Sequence, residues 1–310
     1  MITTAGKIRG MGASGSLPES TLLGLQYDEL VEFRNVSDWS VADSFVLPNS
    51  GFEDDLKISP DNTFFMRTTD SASAIYSMTN GAVLWANGNR CKGDISRDSQ
   101  YIAVRDSRNE ASIIETTNWT VTAALDYDLD NRAPILAFSN DGTKVAMTLP
   151  GGRELLIFNT SDGSVYSAFE SLGDTPALSL VFSSDDTMLL IGTELEVSLT
   201  TVQPSLNYGD VYQRVEGNEC RAIFGTTQNI LYVDVSGSYL KKIDYTTNIV
   251  LHQTGESHDI PSLSASGKLI AYPYSSMDES VLNASDLTIA SPPMANVSSV
   301  KAVCFNKPIM

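Results

Sequence analysis

Residues 137–147 read AFSNDGTKVAM: a short apolar run, a polar turn on Ser139-Asn140-Asp141-Gly142, and a second apolar run. Asp-Gly supplies the positive φ that a tight hairpin needs, so the stretch is predicted to be two antiparallel strands around a turn. The same pattern returns along the chain. Its serine or equivalent falls at Ser59 (ISPDNTFFM), Ser96 (ISRDSQYIAV), Ser139, Ser183 (FSSDDTMLLI), Gly225 (FGTTQNILYV) and Ser264 (LSASGKLIAY), with a last, truncated copy at Phe305-Asn306 (CFNKPIM). The spacings are 37, 43, 44, 42, 39 and 42 residues. A strand-rich period of this size predicts one four-stranded blade per repeat.

The interior of each repeat supplies the other two strands. A third strand is expected at Ala74–Met78, Ser112–Glu115, Leu155–Phe158 and Leu240–Ile243, then a second polar turn (Thr79-Asn80-Gly81, Ser161-Asp162-Gly163, Ser285-Asp286), then a fourth strand such as Ala82–Trp85 or Thr120–Leu125. Second strands such as Met188–Ile191 are continuously apolar, as expected of strands buried on both faces. Val121, Ala123 and Leu125 alternate with polar residues, as expected of an outer strand with one wet face. No segment carries a helical pattern.

Thr21–Gln26, Glu29–Arg34 and Trp39–Val46 read as strands two, three and four of a blade that lacks its first strand. Val300–Phe305 is a lone first strand. Joining them completes seven blades and closes the ring by main-chain pairing, with no open edge at the seam. The expected fold is an all-β seven-bladed β-propeller, four antiparallel strands per blade, spanning residues 17–310. Blades start near 53, 90, 134, 177, 220 and 259, and the closing strand is 300–305. Residues 1–16, rich in Gly, Ser and Thr and carrying Lys7 and Arg9, read as an arm outside the fold.

These repeats resemble those of WD-repeat-like and YVTN-like seven-bladed propellers, over about residues 20–310. The resemblance implies a fold and, since those families are mostly protein-binding platforms, a role in protein contact. The chain departs from the WD pattern: no Gly-His pair opens the blades and no Trp-Asp closes the third strands.

Composition narrows the function further. The net charge is −18, which disfavours nucleic acid and an anionic membrane surface as partners. Three cysteines, Cys91, Cys220 and Cys304, make no disulfide framework. No stretch is apolar for long enough to span a bilayer and no secretion signal is visible, so a cytoplasmic or virion location is expected. Asn-x-Ser/Thr triplets at Asn35, Asn118, Asn159 and Asn283 coincide with hairpin turns and are read as turn residues.

Chemistry is hard to find. His252 and His258 are too few for a metal-dependent hydrolase and read as exposed loop residues. Asp126, Asp128 and Asp130 place oxygens at positions one, three and five of a calcium loop. However, position six is Asn131 and position twelve is Ala137, so a solvated acidic loop is favoured over this weak calcium candidate. Glu53-Asp54-Asp55 and Asp185-Asp186 are read the same way. Trp39 and Trp119 share one position in their repeats, either packed between blades or exposed as partner anchors. No catalytic residue, cofactor or resident metal is expected. The function read from the chain is a non-enzymatic structural or interaction protein. An arm on a compact, acidic, disulfide-free β domain resembles bacteriophage virion components, with other protein subunits as partners through residues 1–16 and one propeller face. The alternatives are a propeller-type hydrolase and a carbohydrate-binding module.

Overall fold

The computed structural model describes residues 20–26, 30–47, 55–68, 72–88, 92–105, 110–125, 134–149, 154–169, 177–203, 215–216, 220–226, 229–235, 239–247, 249–254, 261–271, 281–288, 290 and 302–305. They form seven antiparallel sheets, one per blade. Blade 1 holds β1 (Leu22–Gln26), β2 (Leu30–Asn35) and β3 (Val41–Val46). Blade 2 runs through β4 (Asp55–Ile58), β5 (Phe64–Thr68), β6 (Ser73–Ser77) and β7 (Val83–Asn87). Blade 3 comprises β8 (Asp94–Ile95), β9 (Tyr101–Arg105), β10 (Ala111–Glu115) and β11 (Thr120–Leu125), and blade 4 β12 (Leu136–Phe138), β13 (Lys144–Thr148), β14 (Leu155–Asn159) and β15 (Val165–Phe169). Blade 5 is β16 (Ala177–Phe182), β17 (Met188–Thr193), β18 (Glu196–Thr201) and β19 (Val215–Glu216), and blade 6 β20 (Cys220–Phe224), β21 (Ile230–Val235), β22 (Tyr239–Asp244) and β23 (Ile249–Thr254). Blade 7 has β24 (Ser262–Leu263), β25 (Leu269–Ala271) and β26 (Val281–Asn283), three strands among the described residues.

The ring closes as the sequence predicts. The last strand, β27 (Ala302–Phe305), pairs antiparallel with β1 through Leu23↔Phe305, Gly24↔Cys304, Leu25↔Val303 and Gln26↔Ala302. It stands where β4 stands in blade 2, so blade 1 is ordered β27-β1-β2-β3. Of the expected closing strand, the described residues are Ala302–Phe305.

The core lies between blades. Second strands are buried almost end to end, β5 entirely and β9, β13, β17 and β21 in all but their first residue. Each cluster joins neighbours: Val31, Phe33, Leu56, Phe65 and Tyr76 link blades 1 and 2, and Leu190, Leu199, Ala222 and Val233 link blades 5 and 6. Phe33 meets Phe65 edge-on at 5.1 Å between ring centres, and Phe65 stacks on Tyr76 at 5.2 Å.

The outer strands differ from expectation. In blades 1, 2, 3, 4 and 6 the pairing of third and fourth strands slips at one equivalent place, leaving Ala42, Leu84, Thr122, Tyr166 and Leu251 unpaired. A bulge of this kind breaks the two-residue period and re-aims the residues beyond it. Val121, expected to point inward with Ala123 and Leu125, is therefore 45 % exposed. Its counterparts Val41, Val83, Val165 and Val250 are exposed likewise. The repeated bulge also blunts the outer edge of these five blades against adding a foreign strand.

Candidate interaction surface

First-to-second and third-to-fourth strand turns emerge on the same face of the disc. At the first kind, the serine is buried and serves as a two-way clip. Ser139 Oγ donates to Asp141 Oδ1 (2.7 Å) and accepts the Lys144 N–H (2.9 Å). Ser96 does the same with Asp98 and Tyr101, and Ser183 with Asp185 and Met188. The aspartate in turn accepts the N–H and hydroxyl of the threonine two residues on, as Asp185 does from Thr187 (3.1 and 2.7 Å). The fourth turn residue takes positive φ (Asn62, Ser99, Gly142, Asp186 and Gly267) and donates its N–H back to the serine carbonyl. Ser, Asp and a residue tolerant of positive φ are thus what this turn requires.

That fourth position has a second job. Asp186 Oδ1 accepts the N–H of Asn140 (2.7 Å) and its side-chain amide (2.9 Å), and Oδ2 accepts the Asp141 N–H (2.9 Å), all in the preceding blade. Ser99 Oγ accepts the Asp61 N–H (3.1 Å) of blade 2. Ser20 Oγ accepts the Ala265 N–H (3.0 Å) of blade 7. Ser20 precedes β1 by the same interval that separates Asn62 from β5, so it fills the fourth turn position of blade 1. Asp185 of the expected solvated acidic pair is indeed exposed, but neither carboxylate is idle: one clips its own turn and the other clips the neighbour's.

In the second kind of turn, an Asp or Asn caps the residue two on. Asp38 accepts the N–H and hydroxyl of Ser40 (3.0 and 2.7 Å), and Asp162 and Asp286 do the same with Ser164 and Thr288. The first-position amides of Asn35, Asn159 and Asn283 donate to Ser40, Ser164 and Thr288 hydroxyls, and Asn118 Oδ1 accepts the N–H and hydroxyl of Thr120, so all four asparagines of these triplets serve the turns. Hydrogen bonds to the charged form hold several carboxyls below the usual range. At Asp38 the Ser40 hydroxyl and N–H do this, at Asp162 the Ser164 N–H and hydroxyl, and at Asp185 the Ser183 and Thr187 hydroxyls. At Asp141 burial pushes the pKa up, and bonds from Thr143 and Ser139 outweigh it. The turn face is lined by carboxylates that stay ionised.

Trp39 and Trp119 occupy the fifth position of these turns, at φ 62° and 58°, where Gly81 and Gly163 stand in other blades. Trp39 therefore lies in a turn, not in the fourth strand. Both rings are half-buried and reach into the preceding blade: Trp119 packs edge-on against Phe64 at 5.7 Å, and Trp39 joins Ala271 and Val281 of blade 7. Where the fifth residue is Gly81, an added Cβ would sit 2.6 Å from the ring of Phe45 in blade 1. The gap between blades is filled from one side or the other.

The innermost strands form the channel wall, with alternate residues half-buried, as in β4, where Asp55 and Lys57 alternate with buried Leu56 and Ile58. The wall is charged over blades 2 and 3 and mixed further round, where half-buried Ile135, Val181 and Ile223 stand in blades 4, 5 and 6 and Arg221 is half-buried two residues before Ile223. Lys57 Nζ donates to Asp94 Oδ1 (2.8 Å), and Asp94 Oδ2 accepts the Phe138 N–H (2.8 Å), tying three blades together. Burial pulls the Lys57 ammonium down, but Asp94 and Asp55 outweigh it and the net shift is upward. Asp55 is therefore part of an inner strand rather than of an acidic loop. Cys304 is buried beside this group, its thiol pushed up by burial and by Asp55. Cys220 is buried in β20 and pushed up to about 11 by burial and by Asp234. Both are free thiols.

The structure brings no other predicted residues together. His252 lies exposed on β23, at the rim. His258, Cys91, Glu53, Asp54, the calcium candidate Asp126, Asp128 and Asp130, and the arm residues Lys7 and Arg9 lie outside the described residues. Among the described residues no group of three or more His, Cys, Asp or Glu gathers as a metal set, and no helix is long and apolar enough to cross a membrane. Sequence reading missed the inter-blade clips by Ser20, Ser99 and Asp186. The only signal was that the fourth turn position varies between Gly and short polar residues.

No protein-family model and no curated protein sequence matches the chain. Solved structures do. A functionally unknown protein from Desulfotomaculum acetoxidans superposes with a TM-score of 0.69 at 12 % identity, over 93 % of this chain and all of its own. Hydrazine synthase from Kuenenia stuttgartiensis gives 0.64 at 13 % identity, over 86 % and 96 % of the two chains. The β-propeller domain of Cps50 (Swd1) from Myceliophteria thermophila gives 0.63 at 8 % identity, over 83 % and 91 %. At these identities the likeness defines the class, a seven-bladed β-propeller, and no particular activity.

Proposed function

We propose that this chain is a non-enzymatic, protein-binding propeller, a virion component whose disc is presented through its N-terminal arm. The observation that carries the reading is where residues 1–19 join the disc. Ser20 sits in the turn of blade 1, bonded to Ala265, and β27 ends beside the start of β1 with Phe305 opposite Leu23. The described chain thus begins, at Ser20, and ends, at Phe305, at one place on the turn face. A segment rooted there reaches a neighbouring subunit without crossing the disc, and its composition, with Lys7, Arg9 and no acid before Glu19, suits an acidic disc that must bind another protein. The competing hydrolase reading draws on the acids of the channel wall, but Asp94 has both oxygens committed, to Lys57 and to the Phe138 N–H.

The test is deletion of residues 1–16. The truncated chain is expected to keep its unfolding midpoint and to lose incorporation into the particle, or copurification with its partner subunit. Unchanged incorporation overturns the role of the arm, and hydrolysis of a glycan or lactone by the purified chain overturns the non-enzymatic reading.

A further inference from the structure

We propose that Asn80 is a modification site of the folded chain: it deamidates spontaneously, and the disc accepts the aspartate that forms. The proposal rests on the fold and is independent of the functional reading. Two Asn-Gly pairs occur in the sequence, Asn80-Gly81 just before β7 of blade 2 and Asn87-Gly88 at its end. A glycine after asparagine leaves its own nitrogen unshielded and free to turn towards the side chain. That nitrogen gives up its proton and attacks Asn80 Cγ. Ammonia leaves with Nδ2, and water then opens the five-membered imide to a carboxylate.

The two pairs stand in different surroundings. Asn80 is exposed in the third-to-fourth strand turn. Its Oδ1 accepts the Ala82 N–H (3.0 Å), and its Nδ2, the nitrogen that must leave, bonds to no group among the described residues. Attack requires the Gly81 N–H to release the Ser77 carbonyl (2.9 Å), a local opening of one exposed turn. Asn87 is buried, and its Nδ2 donates to the Arg105 carbonyl of blade 3. The product has a precedent in the repeat. Asp38, Asp162 and Asp286 stand where Asn80 stands, and each accepts the N–H two residues on, as Asn80 does. An aspartate at position 80 keeps that bond as a stronger, charge-assisted one and adds a negative charge to the turn face. Opening of the imide at its other carbonyl threads the main chain through Cγ and lengthens it. That isomer does not fit a turn in which even a Cβ on Gly81 would lie 2.6 Å from the Phe45 ring.

The experiment holds the native full-length chain in mildly alkaline buffer and follows both asparagines by peptide mass spectrometry, with fragmentation that separates aspartate from its isomer. In the folded chain Asn80 is expected to convert roughly tenfold or more faster than Asn87, and in the urea-unfolded chain the two should convert at similar rates. The Asn80→Asp variant should keep or raise the urea midpoint of the parent. Equal rates at the two asparagines of the folded chain overturn the proposal. So does an Asn80 that stays intact in the folded chain while the unfolded chain converts. An Asn80→Asp variant that unfolds at lower urea, or does not fold, overturns the accommodation of the product.

Discussion

At the residue scale, Trp119 shows how one side chain is chosen by competing demands. Its φ of 58° is strained for a residue with a Cβ, at a cost of about 1–2 kcal/mol. Gly163, in the same place one blade on, avoids that strain. The indole is kept because it fills the gap above Phe64, and removing a large aromatic from such a site costs roughly 3–5 kcal/mol when fully buried. Half-burial reduces that figure, so packing outweighs strain by a small margin. Trp119→Gly is expected to lower stability by about 1 kcal/mol in urea unfolding. A variant as stable as the parent, but with weakened partner binding, would favour the ring as an exposed anchor instead. The position of Trp119 in the repeat is visible in the sequence. Its direction is not, because it depends on how the preceding blade is shaped, and in blade 2 that space is taken by Phe45 from the other side.

At the scale of the element, the serine turn explains why the repeat is legible at all. Ser, Asp and a residue of positive φ each satisfy a separate backbone requirement of one hairpin, so they recur in most blades, with Ser266 taking the aspartate's part in blade 7 and Gly225 replacing the serine in blade 6. The outer bulge leaves no such mark: Thr122 and Leu251 are ordinary strand residues, and their unpaired state follows from the turn geometry beside them. The capped aspartates also predict a pH response. Asp38, Asp141, Asp162, Asp185, Asp244 and Asp286 are all held below the ordinary carboxylate value in the folded chain. The unfolded chain therefore takes up protons first. The stability these groups contribute is complete above the unfolded value, about 3.9, and is lost as pH falls through the lower folded values. The urea midpoint should hold from pH 7 to about 5 and fall steeply below about 4. A midpoint that stays level to about pH 2.5 would mean the caps add nothing to folding.

At the scale of the whole molecule, ring closure was legible because two incomplete blades at opposite ends of the chain complement each other. The clips that fasten the ring were not, since Ser20, Ser99 and Asp186 bond to residues in the blade before their own. The acidic composition, the bulged outer edges of five blades and the meeting of Ser20 and Phe305 on the turn face support the proposed picture, a disc that resists self-association at its rim and meets a partner from its turn face. That picture depends on β27 lying beside β1. Gly24→Cys tests it directly, since the new Cβ would stand 3.2 Å from the Cys304 sulfur across a paired register. Under mild oxidation the account predicts a disulfide from the introduced thiol to Cys304, seen as a single disulfide-joined peptide pair and as faster migration of the unreduced, unfolded chain. If the thiols at positions 24 and 304 both stay free and label independently, β27 does not close the ring on β1, and the meeting of Ser20 and Phe305 on the turn face is lost with it.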